Sequence, residues 1–134
     1  MRNVVPVLLV ALATLSVAAD RKRNQAPPRP AEIEIVEITA RRGEGRVSLD
    51  GRVKNTGERA AAGIVLLFDF MAPGRQVITT KRGNLEIETL EPGEEAEFHV
   101  YAPEPPRAVE IRVQVQDGSE RDLKVIKPGP YAIE

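Results

Sequence analysis

From Ala31 onward the chain alternates apolar and polar residues with a period of two, and no segment of useful length carries a helical 3.6-residue period. The run EIEIVEI sets Ile33 and Ile35 on one face, then Val36 and Ile38 on the opposite parity. A one-residue change of that kind requires a bulge, or a strand that passes from one sheet to another. RVSLDGRV points Val47, Leu49, Gly51 and Val53 inward, with Ser48, Asp50 and Arg52 outward. IVLLFDF holds Ile64, Leu66, Phe68 and Phe70 in phase and puts Val65 and Leu67 on the other face. Apolar on both sides at its start, it predicts a central strand partly covered on each face. The outer face turns polar at Asp69, and Ala72-Pro73-Gly74 turns the chain. Asp69 is therefore expected where this strand emerges into solvent.

QVITTK and LEIETL are shorter and more polar, as edge strands tend to be. Pro92-Gly93 suits the central positions of a type II turn, glycine supplying the positive φ. AEFHV then points Ala96, Phe98 and Val100 inward, and AVEIRVQVQ alternates cleanly through Val109, Ile111, Val113 and Val115. DLKVI offers Leu123 and Val125 to the same core before Pro128 and Pro130 end regular structure. Between these last two strands, Asp117-Gly118 resembles a two-residue turn. That turn would set Ile111 opposite Lys124 and Val113 opposite Asp122. A three-residue loop, Gln116 to Gly118 with Gly118 left-handed, restores the parity and pairs Ile111 with Leu123 and Val109 with Val125. Seven or eight short antiparallel strands predict an all-β, immunoglobulin-like β-sandwich over residues 31–127, with residues 128–134 as a tail.

The start of the chain follows a different rule. In residues 1–19, Arg2 precedes an apolar run from Val4 to Val17, and Val17-Ala18-Ala19 supplies the small residues that a signal peptidase reads. Cleavage before Asp20 and export to a periplasmic or extracellular space are the expectation. The alternative is an uncleaved membrane anchor, which Arg21, Lys22 and Arg23 favour because basic residues tend to stay in the cytoplasm. Against it stand the shortness of the apolar run and Pro6. Residues 20–30, DRKRNQAPPRP, have no side chains to bury and read as a basic, proline-rich, solvated arm.

Composition narrows the chemistry. With 134 residues, 42% hydrophobic and 29% charged, the chain supports one domain with one core. A formal net charge of −1 gives no global attraction to nucleic acid. Cysteine is absent, which excludes disulfides, thiolate metal sites, cysteine nucleophiles and a lipid-anchored lipoprotein. His99 is the only histidine and faces outward by parity, too few for a histidine metal centre. Neither Ser48 nor Ser119 sits on a nucleophile-elbow pattern. Glu91, Glu94, Glu95 and Glu97 cluster without the alternation of a calcium loop and read as turn solvation. Arg46, Arg52, Lys54 and Arg112 are interleaved with Asp50 and Glu110, so cross-strand ion pairs account for them better than a nucleic-acid stripe. Asn55 is suited to bond nearby backbone in a turn and to tolerate a left-handed conformation, a structural role. No catalytic, cofactor-binding or metal-binding residue is expected, and no cofactor.

The segment from Val47 to Val100 resembles the bacterial FxLYD family of immunoglobulin-like domains. Val65-Leu66-Leu67-Phe68-Asp69 matches the family's naming motif, with Val for the first aromatic and Phe for the tyrosine. Gly51, Val53 and Asn55, followed by Thr56 and Gly57, match a G-x-V-x-N element. Leu90, Pro92, Gly93 and Glu94, with Phe98 beyond, match L-x-P-G-E and its inward aromatic. The resemblance implies an envelope setting and no catalytic residue. Gly51, Val53, Asn55, Leu67, Phe68, Asp69, Pro92, Gly93, Phe98 and Gly118 are thus the expected structural motif. The functional expectation is an exported, non-enzymatic module that serves envelope structure or binds another envelope or extracellular protein. Its rivals are a membrane-tethered subunit and a cofactor-independent hydrolase using Asp69 and glutamates at the loop end.

Overall fold

The computed structural model describes residues 32–134; the signal segment of residues 1–19 and the basic segment of residues 20–30 lie outside the described residues. Within them the chain is all-β. Six long strands carry the fold: β1 (Ile33–Gly43), β2 (Arg46–Asn55), β4 (Val65–Ala72), β5 (Gln76–Asn84), β7 (Glu95–Pro103) and β8 (Glu110–Gln116). Five two-residue strands complete it: β3 (Ala61–Ala62), β6 (Thr89–Leu90), β9 (Asp122–Leu123), β10 (Val125–Ile126) and β11 (Tyr131–Ala132). One sheet has the order β10-β1-β2-β7 and the other β11-β8-β4-β5, with β9 also on β8. A short β3-β6 ladder sits apart from both.

The period-two pattern explains which faces meet. Ile33, Ile35, Val47, Leu49, Val53 and Phe98 from the first sheet are buried against Leu66, Phe68, Phe70, Ile111, Val113 and Val115 from the second. Of the bulge and the sheet-to-sheet crossing that the parity change in β1 allowed, the bulge is present: pairing with β2 shifts between Ile35 and Glu37, leaving Val36 as the extra residue. Beyond it Ile38 and Ala40 return to the core. β4 is central, flanked by β5 and β8, as its two apolar faces predicted. At the Pro92-Gly93 turn, Gly93 has φ of 84° and the Glu94 N–H donates to the Glu91 carbonyl at 2.9 Å.

Several expectations need correction. Asp69 does not emerge into solvent; it is 3% exposed on the outer face of β4, because side chains of β5 and β8 close over it. Of LEIETL, only Thr89–Leu90 is strand, although Leu85 is buried. Val109 lies one residue before β8, at the sheet's end, and stays 37% exposed.

The last hairpin keeps the predicted parity but not the predicted loop. Val115 pairs with Leu123 and Gln116 with Asp122, so the connection is the five residues from Asp117 to Arg121. The Asp117 carboxylate holds that longer loop by accepting the N–H groups of Ser119 at 2.9 Å and Arg121 at 3.0 Å. Positive φ falls on Glu120, at 64°, and not on Gly118. Gly118 is therefore not held in the left-handed conformation expected of it.

DLKVI divides between the sheets. Leu123 stays on β8, whereas Val125 pairs with Ile33 in a parallel β10–β1 ladder. The prolines do not end the fold either. Val113 donates to the Pro128 carbonyl at 2.8 Å, and β11 returns to pair Tyr131 with Ile111.

Phe98 is 1% exposed and its ring packs on Phe68. Phe98→Ala is expected to cost about 3–5 kcal/mol, read as a lowered denaturation midpoint beside an exposed control such as Glu58→Ala. A midpoint no lower than the control's would refute the packing described.

Candidate functional site

One end of the sandwich is built around Asn55, the last residue of β2. Its side chain is 2% exposed, and its amide nitrogen donates to the carbonyls of Arg59 and Leu90, both at 2.8 Å. The side-chain oxygen accepts the Gly57 N–H at 2.9 Å. Its backbone reaches the neighbouring turn, accepting the Gly93 N–H at 2.8 Å and donating to the Glu94 carbonyl at 3.0 Å. Asn55 does this without the left-handed backbone that the sequence allowed for. A buried amide with this many partners fixes the loop of residues 56–60 against the Pro92-Gly93 turn.

Two further contacts bring the other loops to the same end. Gly63 donates to the Glu88 carbonyl at 2.9 Å, and Gly118 donates to the Ala62 carbonyl at 2.9 Å. Arg121 bonds Glu32 at 2.9 Å and Asp117 at 3.2 Å, joining the β8–β9 loop to the residue that leads into β1. The backbone N–H of Arg121, followed by that of Ser119 and the Arg121 guanidinium, holds the Asp117 carboxyl below its ordinary pKa. Between these loops lie two clefts of about 880 Å³ and about 380 Å³, whose walls share Gly63, Asp117 and Gly118. The larger runs from Glu32 and Glu58 past Ala60, Ala61 and Ala62 to Ser119 and Leu123. The smaller has Ile64, Leu85 and Ile87 in its wall and Glu86, Glu88 and Glu120 around it.

The expected motif residues separate into three groups. Gly51, Val53, Phe68 and Phe98 belong to the core, where Gly51 pairs with Phe98 and Val53 with Ala96. Asn55, Pro92, Gly93 and Gly118 come together at the loop end. Leu67, half-buried, and Asp69 lie on the outer face of the second sheet. Arg121, Asp117 and Glu32 escaped the sequence reading because their meeting depends on the register of β8 with β9. Ala60-Ala61-Ala62-Gly63 was a usable signal: four small residues before a strand let a neighbouring backbone approach closely.

Asp69 accepts hydrogen bonds from Thr80 at 2.7 Å, Gln114 at 2.6 Å and Arg112 at 3.1 Å. Burial pushes its carboxyl pKa up, but these three donors and the Arg112 charge outweigh burial and leave it below the ordinary value. An anion so engaged is a structural tie between β5, β4 and β8. His99 is exposed, as expected. Its Nδ1 lies 2.7 Å from Asp50, and that bond raises its pKa against the opposing effect of desolvation. Arg52 pairs across strands with Glu37 at 3.1 Å and Glu95 at 3.5 Å, while Arg112 lies on the other sheet, so Arg46, Arg52, Lys54 and Arg112 do not form one stripe. Among the described residues no three His, Cys, Asp or Glu side chains are placed to hold a metal ion.

No protein-family model and no curated protein matches the chain. Among solved structures it is similar to IrmA from Escherichia coli, with TM-score 0.50 and 9% identity over 76% of this chain and 95% of that one. At that identity the likeness is one of fold. A calcium-binding mutant of Bacteroides uniformis β-glucuronidase 2 gives TM-score 0.44 at 20% identity, covering 69% of this chain and 12% of that one. The putative ApaA protein from Bordetella pertussis gives 0.43 at 16% identity, covering 75% of this chain and 99% of that one.

Two substitutions test the polar ties. Asn55→Ala leaves the Leu90 and Arg59 carbonyls and the Gly57 N–H without their partner, and an expected loss of about 2–3 kcal/mol should appear in chemical denaturation. Asp69→Asn is expected to cost about 1–3 kcal/mol at neutral pH. Because the native carboxyl binds its proton less readily than the unfolded chain's, this contribution is complete above about pH 4 and disappears as pH falls through the lowered native pKa. The gap between wild type and Asp69→Asn should close on acidification; a gap constant from pH 7 to pH 2 would contradict the assignment.

Proposed function

We propose that this protein is an exported, non-enzymatic immunoglobulin-like module that binds another envelope protein through the loop end around Asn55. The carrying observation is the pair of contiguous clefts framed by four loops and fixed by Asn55, Gly63 and Gly118. Loops held on a rigid sandwich are the usual place for recognition in such folds. The side chains with most chemical promise, Asp69 and Asn55, are committed to structural bonds, which weighs against the hydrolase reading. Export is supported by the signal pattern of residues 1–19, and the FxLYD resemblance supports an envelope setting.

A membrane-tethered subunit is the second reading, favoured by Arg21, Lys22 and Arg23 directly after the apolar run. N-terminal sequencing of protein recovered from the producing cell separates the two: Asp20 is expected first, and retained Met1 would establish the tether. A photo-crosslinker at Ser119 is expected to capture an envelope protein, and one at Gly74, in the β4–β5 turn, is not. Equal capture at both positions would defeat the assignment of the binding end.

A further inference from the structure

The smaller cleft is acidic where it is open. Glu86, Glu88 and Glu120 in its wall are exposed and make no ion pair among the described residues, against Arg82 as the one base there, whereas Glu58 on the larger cleft is offset by Arg59 beside it. Beside them Ile87 remains 39% exposed, so the smaller cleft offers an apolar patch within an acidic margin. Glu32, which opens the described chain, lines the larger cleft. In sequence it follows a segment with Arg21, Lys22, Arg23 and Arg29, three prolines, and Asp20 as its one acid.

We propose that the occupant of this acidic groove is the chain's own basic, proline-rich segment, residues 20–30. The charges are complementary, and the connection makes the encounter intramolecular, with an effective concentration in the range of ~1 mM for a short link. The reach suffices: at ~3.4 Å per residue, a chain of three residues before Glu32 spans at most ~10 Å and one of nine at most ~30 Å. With strands ~5 Å apart and packed sheets ~10 Å apart, the loop end is ~20 Å across, within that reach. Pro27, Pro28 and Pro30 bring apolar rings and no N–H that would need a partner in the groove. The segment and an envelope partner would then compete for one surface. This inference rests on the loop end being a binding surface, but not on export.

The absence of cysteine allows a clean test. Gln25→Cys, spin-labelled in the protein as recovered from cells with its N-terminus determined by mass, is compared with its reduced form by amide NMR. Signals of Ala61, Glu88 and Ser119 are expected to fall at least twofold relative to those of Gly45 and Gly74 at the opposite end, and to recover in 1 M salt. The paired variant Glu86→Lys with Glu88→Lys alters only exposed side chains and should abolish the loss at position 88. Uniform broadening at both ends, or none at the groove, overturns the proposal. Broadening carried from labelled to unlabelled copies in a mixture also overturns it, in favour of a second copy as occupant. The test reads the same for a cleaved or a retained N-terminus, so failure of export and failure of docking remain distinct.

Discussion

Two phenylalanine rings set the separation of the sheets. Phe68 on β4 and Phe98 on β7 meet from opposite sides with centroids 5.7 Å apart and planes tilted by 45°, a favourable aromatic geometry. Each ring also occupies space that a glycine leaves open on a neighbouring strand. A Cβ at Gly51 would stand 2.7 Å from the Phe98 ring and 2.2 Å from the Glu37 carbonyl oxygen, and one at Gly83 would stand 3.3 Å from the Phe68 ring and 2.6 Å from Val100. Glycine within a strand ordinarily weakens it; here the ring laid over it offsets that loss. β5 and β7, each at the edge of its sheet, can approach one another because Gly83 faces Val100 without a side chain.

Asp69 gives the outer face of the second sheet a comparable constraint. Its row runs from Thr80 through Asp69 to Arg112, all three directly paired across β5, β4 and β8. A slip of one residue along β8 would set Ile111 or Val113 opposite Asp69 in place of Arg112 and strand a buried carboxylate, and a slip along β5 would remove Thr80 from its place. The tie therefore selects one register for three strands. The loop end inherits its shape from that register, since Gly63 and Ile64 enter β4 directly.

Legibility in the sequence followed the range of each interaction. The bulge at Val36, the Pro92-Gly93 turn and the inward sets of β2, β4 and β7 depend on near neighbours and were all readable. Asp69 looked like an emerging residue because its cover comes from Thr80, Arg112 and Gln114, remote along the chain. The β8–β9 loop was misjudged because the Asp117 carboxylate can stabilise five residues where parity alone asks only for an odd number. Pro128 and Pro130 were read as terminators, yet a proline without an N–H still offers a carbonyl, and Val113 uses that of Pro128. At the loop end, Asn55 was recognised as a backbone binder, but the convergence of Glu32, Asp117 and Arg121 required the three-dimensional pairing.

The last ten residues cross repeatedly between the sheets. Val125 joins β1, Tyr131 joins β8, Ile133 bridges Ala40, and the Glu134 carbonyl accepts the Arg42 N–H at 2.8 Å. This lacing has a consequence for biosynthesis. A chain emerging from the ribosome carries β1 and β2 long before the residues that seam their sheet to its partner exist. Long-range closure of this kind delays cooperative folding until the far end is available. Until residues 125–134 are made, the β1 edge at Ile33 and the β8 edge at Ile111 lack these pairing partners.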